Sequence, residues 1–378
     1  MPSPLETPAR DWRERARAFA EREVRPLAET IDRTDRMPDR LLRAMAREGF
    51  FGLGIPEAWD GRGGDSRSTV AVLEELSRGS AAVAVTVAVH LSVCAMPILQ
   101  HGTELQKDRY LRPLARGDLV GAFALTEPGA GSDAASLATR YVREGSGFVL
   151  DGTKMFISNA ASAGVTLVFA TCDPALGHRG ISAFLLPSKT PGSTVAQRLD
   201  KMGLRGSETT ELVLDHARLP GDTLLGAEGT GLRVALGALT GGRVGIASCA
   251  LGVAQEAFDE MRRQVRSHDA DWKRTRLARA YAELSSARAL VERAAERRDL
   301  GEPFVEEASA AKLIASRAAV SIASSGVDVA GAEGVRSGAA AERLLRDARV
   351  FPIVEGTTEI QELILARELL EPRVPPKV

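Results

Sequence analysis

The sequence predicts an α+β protein in three parts: an N-terminal helical domain (residues 1–118), a middle antiparallel β-barrel or sandwich domain (119–226) and a C-terminal four-helix bundle (227–378). Three observations carry this. Apolar residues recur at helical spacing through the first part. Short β-branched and aromatic runs, separated by Gly- and Pro-rich turns, fill the second. Long stretches rich in Ala, Arg and Leu return from Leu232 onward.

In the first part, Trp12, Ala16, Phe19, Ala20, Val24 and Leu27 mark an amphipathic helix over residues 10–30. A second helix spans 38–48 and ends near Gly49. Residues 51–64, rich in Gly and Pro, predict a loop. Helices follow over 66–78 and 80–100, the latter nearly all apolar. Its most apolar stretch, 83–93, is too short to span a membrane and predicts a buried core helix. A short helix over 106–115 ends at a turn, Gly117-Asp118.

In the middle part, the apolar run 121–125 precedes a glycine-rich turn. Strands are predicted at 148–150, 154–157, 165–170, 182–186 and 211–214. Turn signals between them include Gly145-Ser146-Gly147, Asp151-Gly152 and Pro191-Gly192. Several antiparallel strands in ~100 residues predict a compact barrel or sandwich. In the last part, helical texture runs from 232 to 298, then over 308–324, 339–349 and 357–370. Small facing residues suit close-packed helices.

Of the 378 residues, 44% are hydrophobic and 26% charged, enough for a large core and inconsistent with disorder. A net charge of −1 gives no electrostatic case for nucleic acid or an anionic membrane. Cys94, Cys172 and Cys249 are scattered and odd in number, which points to a reducing compartment, small buried hydrophobes, no disulfide framework and no metal site. Charged residues from Asp11 to Arg17 with no apolar run behind them argue against a signal peptide, so the expected location is cytoplasmic.

Two motifs carry the chemistry. Thr126-Glu127-Pro128-Gly129-Ala130-Gly131-Ser132-Asp133 is a tight turn with hydroxyls and free N–H groups, suited to a polar, planar or phosphorylated cofactor. Gly129 and Gly131 allow positive φ and close backbone approach there. The spacing is not that of a Rossmann fingerprint, and no βαβ unit follows. About 220 residues later, Glu355-Gly356-Thr357 sets one carboxylate among Phe351, Ile353, Val354 and Ile360. A buried carboxylate with no evident structural partner is a candidate general base.

These motifs, with the helical–β–helical order, resemble the acyl-CoA dehydrogenase family of flavoenzymes over essentially the whole chain. The resemblance implies FAD as cofactor. Phe123, Leu125, Thr126, Gly131 and Ser132 would meet it from the glycine turn, with Ser132 also near substrate. Phe156, Ile157 and Ser158, in Gly-Thr-Lys-Met-Phe-Ile-Ser-Asn, would form the second flavin element. Thr357 and Glu359 would meet FAD at a helix start, while Arg243 and Gly356 would contact substrate. Glu355 would take the α-proton of an acyl-CoA thioester as the β-hydrogen leaves as hydride to flavin N5, giving the trans-2-enoyl-CoA. The resemblance further implies fatty-acid β-oxidation, an electron-transfer flavoprotein as acceptor, and a homo-oligomer, dimer or tetramer. Alternatives are action on an acyl-carrier-protein thioester, a flavin monooxygenase, or a degenerate acyl-CoA-binding subunit; retention of Glu355 favours dehydrogenation.

Three departures from the family pattern stand out. The stretch 266–276 is shorter than usual and lacks the Arg-x-x-Phe-Gly segment and the following Gln. Asp328 replaces an amide that contacts FAD, and an unshielded acid would repel a pyrophosphate. Thr240 stands where an Asp often precedes the substrate arginine. Together they imply a changed grip on the adenine half of FAD or a changed subunit arrangement.

Overall fold

The computed structural model describes residues 6–370. Helix α1 (Glu6–Phe19) continues through a π-helical turn (Ala20–Val24) and a 3₁₀ turn (Arg25–Leu27) into α2 (Ala28–Thr34). Helix α3 (Asp39–Glu48) stops at Gly49, whose φ of +79° lets its N–H reach the Met45 and Ala46 carbonyls. Helix α4 (Ser66–Gly79) starts on the Asp65 carboxylate, which accepts from the Ser68 N–H.

Helix α5 (Ala81–Val89) passes through a π-helical turn (His90–Ala95) into α6 (Met96–His101) without a break. This corrects the length argument for 83–93. The 21-residue rod Ala81–His101 is long and apolar enough to cross a membrane, as are Gly231–Gln264 and Val305–Val335. Burial decides instead: 89% of the most apolar window of the first rod lies inside the fold, against 78% and 50% for the other two. The π turn also aims His90 inward. Its Nδ1 accepts from the Gly121 N–H at 3.1 Å, so Nε2 carries the proton and donates to the Phe51 carbonyl at 3.1 Å. Helix α7 (Glu104–Gln106), a π-helical turn (Lys107–Leu111) and α8 (Arg112–Arg116) finish this part at Gly117, φ +75°.

Strands β1 (Val120–Ala124), β2 (Arg140–Glu144), β3 (Gly147–Ser158), β4 (Ala163–Thr171), β5 (Ile181–Pro187), β6 (Ser193–Arg198), β7 (Thr209–Leu219) and β8 (Leu224–Leu225) form one sheet. Its order is β6-β7-β3-β2-β4-β5-β8, with β1 paired to β4. Pairing is antiparallel except that β1 and β2 meet β4 in parallel. The strands expected at 148–150 and 154–157 are one strand. Asp151-Gly152 is a bulge within it: the register against β7 slips between Leu150 and Gly152. Gly152 has φ +151°, and a Cβ there would lie 2.5 Å from Thr139 Oγ1.

The C-terminal part holds three long helices, α9 (Gly231–Gln264), α10 (Asp271–Asp299) and α11 (Val305–Ala330), and two short ones, α12 (Ala340–Ala348) and α13 (Thr358–Leu370). The helical stretch 232–298 is thus divided at 265–270. Helix α9 is the axis of the molecule, and its small residues let other elements approach. A Cβ at Gly252 would lie 2.3 Å from the Glu74 carbonyl of α4. Buried carboxylates fasten the helical parts together. Glu74 receives Arg288 at 2.6 and 2.9 Å and Arg13 at 2.6 Å, and Glu256 receives Arg25 at 2.7 and 2.9 Å. All three cysteines are free; Cys94 and Cys249 are buried, while Cys172 is only half-buried.

Candidate active site

One cavity of about 1300 Å³ lies between the sheet, α5, α9 and the segment leading into α13. Twelve of the thirteen residues singled out from the sequence line it: Phe123, Leu125, Thr126, Gly131 and Ser132 from β1 and its turn; Phe156, Ile157 and Ser158 from β3; Arg243 from α9; and Glu355, Gly356 and Thr357 ahead of α13. The thirteenth, Glu359, is exposed on α13 outside that lining.

Of the two freedoms that glycine gives this turn, it uses close approach and not positive φ. Neither Gly129 nor Gly131 has positive φ. A Cβ at Gly129 would meet nothing within 4 Å, and one at Gly131 only Thr126 at 3.9 Å. Glycine there leaves open space for close approach to the backbone. What fixes the turn is a buried ion pair that the sequence reading passed over. Lys154 is fully buried and donates to Glu127 at 2.6 Å and to the Leu125 carbonyl at 3.2 Å. Glu127 also accepts the Ala138 and Thr139 N–H groups at 2.6 and 2.9 Å. Burial pushes the Glu127 carboxyl up, and Lys154 with these N–H groups more than reverses it; burial pulls Lys154 down to about 8. We expect Lys154→Met to destabilise the fold by ~3–5 kcal/mol, because Glu127 is left buried without its counter-charge, and to loosen the turn above it. Thermal unfolding and the flavin content of purified protein check this; wild-type values for both would contradict it.

Phe156 sits in a left-handed conformation, φ +61°, where the register of β3 against β7 slips again, between Lys154 and Ile157. A bulge re-aims a side chain, and Phe156 stays 61% exposed beside the cavity rather than joining the core. A non-glycine residue held in this region is strained, and such strain concentrates at functional sites.

Opposite stands Glu355, also left-handed at φ +53° and followed by Gly356 at +97°. The residue is half-buried, but its Oε2 is shielded from solvent and accepts no hydrogen bond. Its backbone N–H has no acceptor among the described residues. Burial raises the carboxyl to about 7, against the opposing charges of Arg243 and Lys312. Room for it comes from Gly242 on α9, where a Cβ would lie 1.9 Å from Oε2. Arg243 is buried, with Nε unpartnered and no ion-pair partner within 4 Å among the described residues. Thr357 Oγ1 accepts the Ile360 N–H at 3.3 Å and so caps α13 beside the cavity.

Sequence reasoning did not single out Gly242, Glu127, Lys154 or Lys312. A lone lysine inside the apolar run Ala308–Ser316, and a Gly-Gly pair inside a long helix, are signals that could have found two of them. At the departures from pattern, Thr240 lines the cavity and turns its hydroxyl back to the Leu236 carbonyl at 2.9 Å. Asp328 pairs with Arg276, which offsets its charge.

Comparison with known proteins agrees with this architecture. The acyl-CoA dehydrogenase N-terminal domain family matches residues 7–118, the middle domain family 122–217 and the C-terminal domain family 229–370. An acyl-CoA dehydrogenase of Bacillus subtilis (strain 168) is 42% identical over 374 residues, covering 95% of this chain and 97% of that protein. The structure of butyryl-CoA dehydrogenase from Megasphaera elsdenii superposes with a TM-score of 0.94 at 34% identity, over 98% of this chain and 99% of that one. A chain solved in work on the electron transferring flavoprotein of Acidaminococcus fermentans gives a TM-score of 0.95 at 35% identity, covering 97% and 98%. These matches define an FAD-dependent oxidoreductase. The chain belongs to the acyl-CoA dehydrogenase family.

The cavity suits FAD together with an acyl thioester. Its volume exceeds the ~300–1,000 Å³ usual for one drug-sized ligand. It brings together the open backbone at Gly131, the out-turned ring of Phe156, the capped start of α13 and the Glu355 carboxylate with its unpartnered oxygen.

Proposed function

We propose that this protein dehydrogenates a short-chain acyl-CoA thioester between its α and β carbons, giving the trans-2-enoyl-CoA, with Glu355 as the base. One observation carries the reading: Glu355, whose carboxylate oxygen Oε2 is shielded and unpartnered, lines the same cavity as the glycine turn and Phe156. FAD, when bound, accepts the β-hydrogen as hydride. The chain supplies the rest. Glu355 removes the α-proton. Its unpaired N–H is a donor available to the thioester carbonyl, where enolate-like charge develops. Arg243, buried with a spare donor, lies on the substrate side. The valines of α5, Val85 and Val89, form an apolar wall that excludes water from the acyl chain. Butyryl-CoA, named for the Megasphaera elsdenii relative, sets the first substrate to try.

We infer that electrons leave to an electron-transfer flavoprotein, that the protein works in the cytoplasm, and that it assembles with copies of itself as a dimer or tetramer. The exposed aromatic rings of Trp272 and Tyr281 on α10 support assembly.

A base must be ionised to accept a proton, and the Glu355 carboxyl is raised to about 7. The rate of flavin reduction by acyl-CoA is therefore expected to be full above that pH and to fall tenfold per unit below it. Anaerobic stopped-flow absorbance from pH 5.5 to 9 tests this, and a profile flat down to about pH 5 would sink the assignment of Glu355.

A further inference from the structure

Lys312 is among the largest fully buried side chains of the molecule and lies on α11, 44 positions in sequence from Gly356. Its Nζ donates to the Gly356 carbonyl at 2.5 Å. The same carbonyl accepts from the Gln361 side-chain amide of α13 at 3.1 Å. One helical turn further along α11, the Ser316 hydroxyl donates to the Phe351 carbonyl at 3.2 Å. Lys312 and Ser316 thus pin the two ends of the segment Phe351–Gly356, which holds Glu355 in its left-handed conformation.

The two pins differ in one respect. Ser316 brings a neutral donor and Lys312 brings a charge. A buried lysine with no carboxylate within 4 Å among the described residues is costly, and the acid that acts on it most strongly is Glu355. The other groups around the pair are few. Arg243 and the buried, neutral thiol of Cys249 face it from α9, and Glu359 acts on Lys312 from α13. Burial lowers Lys312 to about 8, with Glu355 opposing, and raises Glu355 to about 7.

We propose that Lys312 is a positioning residue for the reaction: its ammonium holds the Glu355–Gly356 turn and keeps the carboxylate of Glu355 ionisable near neutral pH. This rests on Glu355 as the base. Hydrogen bonding to the carbonyl fixes where the carboxylate stands. The positive charge favours its ionised form. A merely structural lysine would do the first and not the second.

The test reads Glu355 itself, without turnover. In flavin-loaded protein, the C=O stretch of its protonated carboxyl is followed by infrared difference spectroscopy against pH and assigned by its loss in Glu355→Gln. Lys312→Met is expected to raise the midpoint by about one pH unit or more, and to cut the flavin-reduction rate at pH 7 about fivefold or more as a result. Lys312→Arg is expected to restore the wild-type midpoint. Ser316→Ala, which removes the neutral pin, is expected to lower the melting temperature and leave the midpoint in place. Lys312→Gln keeps a donor and removes the charge, and it takes the place of Lys312→Met should that variant not fold. A wild-type midpoint in Lys312→Met or Lys312→Gln overturns the proposal. Because the band reports protonation and not dehydrogenation, failure of the proposed reaction would show separately, as absence of flavin bleaching in the wild type.

Discussion

Replacing Glu355 by Gln is expected to stop flavin reduction by acyl-CoA while leaving the flavin bound. A positioned general base contributes ~10²–10⁴-fold, and no other carboxylate lines the cavity among the described residues, so a loss of about 10³-fold or more is expected. Gln keeps the volume, and it removes a carboxyl that burial holds at about 7, so the melting temperature at pH 8 should rise or stay level. Its pKa is raised above the unfolded value, so the folded state binds more protons between about 4.5 and 7, and stability falls as pH rises through that window. Glu355→Gln removes that slope. Single-turnover absorbance and thermal melts at pH 5 and pH 8 measure both effects. Bleaching at a rate within tenfold of wild type would remove Glu355 from the mechanism.

Gly242→Ala is expected to separate activity from stability. The added methyl would lie 1.9 Å from Glu355 Oε2 and 3.1 Å from Val93 Cγ1. The carboxylate is the end of a flexible side chain and can swing away, so the fold should survive. Ala in place of a mid-helix Gly even favours α9 by ~0.5–1 kcal/mol. The base cannot remain where it stands, and a displacement of about 1 Å costs ~10²-fold in rate. The expected result is therefore a melting temperature at or above wild type with kcat/KM lower by about 10²-fold. Unchanged kcat/KM would show that the present position of the carboxylate is not the working one.

The parts of this molecule with strong periodicity were readable in the sequence. The apolar rod over 80–100, the Gly49 stop of α3 and the Ala-rich helices all lie where spacing and punctuation put them. Strands β2 and β6 were not readable. Arg140–Glu144 is charged at Arg140, Arg143 and Glu144, and Ser193–Arg198 is mostly polar and exposed, so neither carries an apolar run. Asp151-Gly152 has turn composition, yet here Gly accommodates a bulge against Thr139 within one continuous strand. The lesson from 83–93 is similar: a short apolar window says little when a π turn carries the helix onward, and only burial settles its place.

For the site, the residues proposed to touch ligand are marked by motif, and twelve of thirteen converge on one cavity. The residues that support them are not. Lys154 and Glu127 lie 27 positions apart, and Lys312 and Gly356 44 apart, and nothing in either local sequence announces the contact. Such partners become visible only once α11 lies against the 351–356 segment and β3 against the glycine turn. Asp328 shows the converse. Read alone it is a repulsive acid; in the fold Arg276 reaches it across 52 positions and offsets the charge.

For the proposed reaction, flavin held at the glycine turn and the Glu355 carboxylate must act on the same pair of acyl carbons. Anaerobic titration of the flavin-loaded protein with butyryl-CoA, followed by flavin absorbance and by mass spectrometry of the thioester, asks this directly. Bleaching of the flavin is expected, with a matching yield of a thioester lighter by two hydrogens. A fully loaded flavin that stays oxidised with butyryl-CoA, and with straight, branched and aromatic acyl-CoAs in turn, would contradict it.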